Sequence, residues 1–151
     1  MTRLSSAFGD TKALRTKTFV LGGHTFKVRV PLSKEMEDIQ SRISSIDPAK
    51  LSERFAKLSG SFRTSEPIEG VVITDDDVTV DGRSTKELAH TILMMESRII
   101  EYIKLLIPET GNLDDITYEE IEAEWPIQVQ FEITEKILEA TQPGYKEARK
   151  N

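Results

Sequence analysis

The sequence predicts an α+β fold, mainly helical, in which two short β-hairpins accompany about five helices, one of them a long central helix over about residues 85–107. One observation behind this is a pair of alternating apolar runs on either side of Gly22-Gly23. A second pair of apolar runs flanks Thr74-Asp75-Asp76-Asp77. The third is a seam of Leu88, Ile92, Met95, Ile99, Tyr102 and Leu106, which steps by 4, 3, 4, 3 and 4, the spacing of one helix face.

Residues 1–17 lack apolar periodicity and read as a flexible N-terminal arm; 18–142 read as a single globular domain and 143–151 as a flexible polar tail. Phe19 and Leu21, then Phe26, Val28 and Val30, form the first hairpin around the glycine pair, where both residues can take positive φ. Pro31 ends strand pairing because it lacks an amide donor. Ser33 is a good N-cap for a helix carrying Met36, Ile39, Ile43 and Ile46. Asp47-Pro48 is a second start signal, and Leu51, Phe55 and Leu58 give that helix its apolar stripe up to Gly60. A loop over 59–70 leads into Val71–Ile73 and Val78–Val80, the second hairpin, closed by Asp81-Gly82.

Ser84 and Glu87 have capping-box spacing ahead of the long helix, which Pro108 stops. After a Gly-Asn loop, Thr117 and Glu120 form another such box before a short acidic helix that ends near Trp125. Pro126 then opens the last helix, with Ile127, Phe131, Thr134, Ile137 and Leu138 at helical spacing up to about Thr141.

The long helix carries more apolar surface than one stripe. Ala89, Leu93, Ile100 and Ile107 form a second lobe about 100–140° round from the seam at 100° per residue, with Glu96 between the two. A helix with two lobes packs on two sides, against its own domain or against a partner. Leu93, Ile100 and Ile107 are the candidate partner-facing residues, with Trp125 beside them.

Charge and composition narrow the function classes. Residues 1–63 hold 12 Lys/Arg against 6 Asp/Glu, and residues 64–151 hold 8 against 20, so the halves carry +6 and −12. Nine acids and no base fall between Lys104 and Lys136. Duplex binding needs a dense cationic face, so a nucleic-acid partner is not expected. No apolar run reaches the roughly 18 residues of a transmembrane helix, and no apolar segment follows the early basic residues as a secretory signal requires. The absence of cysteine removes disulfides, thiolate metal ligands and thiol catalysis, and fits a reducing compartment.

Candidate chemistry is sparse. An EF-hand begun at Asp77 places Gly82 correctly but Leu88 where a bidentate Glu is required, so Asp75–Asp77 reads as a solvated turn and no metal is expected. Gly22-Gly23-His24 lacks the Lys-Ser/Thr of a phosphate loop. His24 reads as a turn residue and His90 as a solvated one, leaving no nucleophile–base arrangement. Neither enzymatic activity nor a cofactor is expected. Met95 and Phe131 read as core, and Trp125 as a ring at a helix junction.

The segments TFVLGGHTFKVRVPLSKEMEDI, the helix stopped at Ile107-Pro108, and LDDITYEEIEAEWPIQVQFEITEKILEA together resemble, in order and spacing, the tail assembly chaperones of long-tailed bacteriophages. The likeness covers Thr18 to Gln142 and rests on element order and the G-G-x-T-F-K-V-R-x-P and W-P-I-x-V patterns, not on a catalytic signature. It implies a non-enzymatic protein of the host cell cytoplasm, absent from the finished virion. Such a protein binds and solubilises the tape measure protein and helps recruit major tail tube subunits. Its family often adds a longer form by ribosomal frameshifting, which makes this chain the short form. Self-association is left open. The rival readings are a phage head–tail joining or tail-terminating subunit, an acidic mimic of nucleic acid, and an enzyme with an acid-ligated metal.

Overall fold

The computed structural model describes residues 2–63, 66–142 and 144. The fold is α+β and 56% helical, with six helices and two small three-stranded antiparallel sheets among those residues. Contacts group the chain into two compact units, 1–39 with 98–151 and 40–97, and the division falls inside two helices. The tail expected from residue 143 lies outside the described residues apart from Gly144.

In the first unit, the stretch read as an arm carries local structure: helix α1 (Arg3–Phe8) and a 3-10 turn over Lys12–Arg15. A capping box built from hydroxyls starts α1, with Thr2 Oγ1 accepting from the Ser5 amide at 3.2 Å and Ser5 Oγ accepting from the Thr2 amide at 3.1 Å. With only the Leu4–Phe8 pair as an apolar face and no acid at the cap, this start escapes the usual sequence signals. Strands β1 (Thr16–Leu21) and β2 (His24–Arg29) then pair from Thr16↔Arg29 to Leu21↔His24. Gly22 and Gly23 have φ of +59° and +79°, the two positive values a tight two-residue hairpin turn requires.

Helix α2 (Ser33–Ser44) begins in this unit, and the last turn of the long helix returns to it. That helix, numbered α4 in chain order (Thr85–Ile103), stops four residues short of the expected Ile107. Its final turn tightens as the Leu105 amide bonds to the Tyr102 carbonyl at 3.0 Å. Leu106–Ile107 become a short strand, β6, on the free edge of β2, pairing Val28↔Leu106 and Lys27↔Ile107. Pro108 disfavours helical geometry at Ile107, and the β2 edge supplies the hydrogen bonds that a longer helix would have made. Helices α5 (Tyr118–Glu124) and α6 (Ile127–Thr141) complete the unit, with α6 packed against β1 and β2. Val28, Tyr102, Ile103, Leu105, Ile121, Ile133, Ile137 and Leu138 are buried.

The second unit contains α3 (Pro48–Ser59), a 3-10 turn over Gly60–Phe62, and strands β3 (Val71–Ile73), β4 (Val78–Val80) and β5 (Arg83–Ser84) ahead of α4. Asp47 caps α3 by accepting from the Ala49 amide at 2.9 Å, with Pro48 at the first position as expected. The second hairpin pairs Val71↔Val80 and Ile73↔Val78, and β5 adds a third strand on β4. Ile43, Val78 and Ala89 are its buried apolar residues.

Candidate docking surface

The α5–α6 junction organises the exposed side of the first unit. Thr117 and Glu120 form the expected capping box, and the Trp125 amide closes α5 onto the Ile121 carbonyl at 2.8 Å. Gln130, 1% exposed, donates from Nε2 to the Trp125 carbonyl and accepts the Tyr118 hydroxyl, both at 2.8 Å. Burying an amide is cheap when both its ends are satisfied. Trp125 itself is half-buried and meets Phe26 edge-on at 6.5 Å. Phe26 in turn stacks on Phe19 at 5.3 Å and takes the edge of His24 at 4.5 Å. Trp125 therefore belongs to an aromatic cluster on the hairpin, and His24, expected in the turn, is instead the exposed first residue of β2 with a ring contact.

Because Gln130 takes a core position, α6 sits rotated from the expected stripe. Gln130, Ile133, Thr134, Ile137, Leu138 and Thr141 face inward, whereas Ile127 and Phe131 are 45% and 48% exposed. These two stand one helical turn apart, on one face. Phe131 and Leu21 line an open hollow of about 400 Å³ with Glu132, Glu135 and Lys136. The Lys136 ammonium lies 3.9 Å from Glu139, and Glu132 has no ion pair among the described residues. The hollow thus has an apolar floor and a net acidic rim.

Of the residues singled out on the long helix, Leu93 and Ile100 lie on α4 and Ile107 lies beyond its end. Ala89 is fully buried, while Leu93, in the second unit, and Ile100, in the first, are half-buried. Ile107 is 40% exposed, but on β6 opposite Lys27, beyond the end of the helix. Leu88, from the expected seam, is 50% exposed. Glu96 is buried, held by Arg54 at 3.0 Å, and its second carboxylate oxygen has no hydrogen-bond partner among the described residues.

The acidic turn has a structural task that its sequence did not reveal. Asp77 accepts from the Ser84 hydroxyl, from the Val78 amide at 2.7 Å and from the Lys86 amide at 3.1 Å, tying the second hairpin to the start of α4. The bond from Ser84 lowers its carboxyl below the usual aspartate value, with help from the two amides and against the effect of burial. Glu35 is held between Arg15, at 2.9 Å, and Arg29. Burial raises its carboxyl, but hydrogen bonds from Arg29, the Leu32 amide and Arg15 outweigh that and leave it below the ordinary glutamate value. Among the described residues no three His, Cys, Asp or Glu side chains converge on a metal position, and no helix is long and apolar enough to cross a membrane.

Comparison with protein families, curated proteins and solved structures gives no match. What the chain can do must be read from its own surfaces. The α6 face and its hollow offer apolar contact with a carboxylate border, and that is the chemistry of docking.

Proposed function

We propose that this chain is a non-enzymatic assembly chaperone of the phage-tail type, which binds and solubilises the tape measure protein and helps recruit tail tube subunits in the host cytoplasm. The exposed Ile127–Phe131 face beside the Leu21 hollow carries this reading. A long helical client presents repeating apolar stripes that aggregate in water. An apolar face of about one helical turn, bordered by Glu132 and Glu135, suits a client stripe flanked by Lys or Arg. The uninterrupted acidic stretch between Lys104 and Lys136 adds a negative shell that keeps coated client molecules apart by repulsion. The likeness in element order to tail assembly chaperones supplies the identity of the client.

The test is to look for a very long helical protein encoded next to this chain's gene and to co-express the two. The client is expected in the soluble fraction with the wild-type chain and in the pellet with Phe131→Asp. A client that stays equally soluble without this protein, or that never co-purifies with it, overturns the reading.

A further inference from the structure

We infer that the protein self-associates by seating helix α1 of one copy in the α6 hollow of a second copy. Two surfaces of the first unit are each left uncovered. One is α1, where Leu4 and Phe8 stand one turn apart and are 66% and 73% exposed. Single exposed apolar residues are ordinary, but an i, i+4 pair this exposed on a capped helix is a ready apolar ridge. The other is the hollow floored by Leu21 and Phe131, which the chain's own α1 leaves open, since Phe8 and Phe131 both remain exposed.

Charge selects the occupant. The segment around α1 holds Arg3, Lys12 and Lys17 against Asp10, Arg15 being held by Glu35, whereas the hollow is bordered by Glu132 and Glu135, with Lys136 lying 3.9 Å from Glu139. A basic apolar ridge and an acidic apolar hollow on the same chain are complementary between copies, and opposite charges around an apolar centre set both partner choice and register. The contact is small by the standard of stable interfaces, so the association depends on concentration and weakens with salt. The inference shares the hollow with the proposed client but does not need the client.

The test is sedimentation velocity of the full-length protein alone over a hundredfold concentration range. The wild-type mass is expected to rise with concentration, and Phe8→Ser and Phe131→Ser are each expected to move the midpoint up at least tenfold. Phe8 is 73% and Phe131 48% exposed and neither belongs to the buried core, so circular dichroism should show each variant folded. Glu132→Lys is expected to weaken association as well. The deciding arm mixes the two serine variants: one keeps an intact hollow and the other an intact α1, so they associate together though neither does so alone. A mass that stays monomeric at every concentration, association indifferent to both serines, or a mixture that stays monomeric overturns the inference. Client solubilisation lost while association persists overturns only the chaperone reading, and the converse overturns only this inference.

Discussion

The Tyr118 hydroxyl donates to the Gln130 side-chain oxygen at 2.8 Å, joining the first turn of α5 to the buried face of α6. The same amide donates to the Trp125 carbonyl, so one side chain fixes the angle between the two helices. Gln130→Ala removes both bonds and leaves a small void, and is expected to cost about 2–3 kcal/mol in urea unfolding. Tyr118→Phe removes one bond at a half-buried site and should cost about 1 kcal/mol. An equal loss in both variants shows that the Trp125 bond contributes nothing.

Acid sensitivity follows from Glu35 and Asp77, both held below their ordinary values of 4.5 and 3.8. A carboxyl lowered in the folded state stabilises it above the unfolded value, and that contribution is lost as pH falls through the folded value. Stability is therefore expected to be level above about pH 5 and to decline progressively below it. Glu35→Gln and Asp77→Asn should each flatten that decline in thermal melts taken between neutral and acid pH. Asp77→Asn should also speed amide exchange at Val78 and Lys86, whose protons Asp77 receives.

The first hairpin turn tests backbone conformation alone. Gly22 and Gly23 meet no neighbour that a Cβ could strike, so only their positive φ resists substitution. Gly23→Val should cost about 1–2 kcal/mol, because β-branched residues are strained there. Gly22→Asn should be neutral or stabilising by a few tenths of a kcal/mol, since Asn-Gly suits this turn. Thermal unfolding of both variants checks the contrast.

Signals confined to a few neighbouring residues were legible in the sequence. Gly22-Gly23, Asp47-Pro48 and the Thr117–Glu120 box each carry their own geometry, and all appear where expected. Outcomes decided by distant partners were not. The end of α4 depends on a free β2 edge nearly eighty residues earlier in the chain, which turned Leu106–Ile107 from helix to strand. Periodicity shows that α6 has an apolar arc but not which part of it meets the sheet. Gln130, satisfied by Tyr118 and Trp125, displaced Ile127 and Phe131 outward. The exposed apolar face of α6 followed from that displacement, and so no motif marked it. The β2 edge likewise takes Ile107 off the helical face that Leu93 and Ile100 share.

Arg54 and Glu96 make the sharpest test in the second unit. Glu96 is 8% exposed, takes one bond from Arg54 at 3.0 Å, and leaves its other carboxylate oxygen buried without a hydrogen bond among the described residues. Removing the arginine alone strands a buried charge, whereas removing both members removes the desolvation cost with the attraction. Arg54→Met is therefore expected to lose about 2–3 kcal/mol, a figure reduced from the fully buried case because Arg54 is partly exposed. Adding Glu96→Leu should recover most of that loss; Glu96→Gln alone should cost less than Arg54→Met. A urea double-mutant cycle measures the coupling. If Arg54→Met is neutral at pH 7, the carboxylate is not paying a burial penalty and the unpartnered oxygen has access to water.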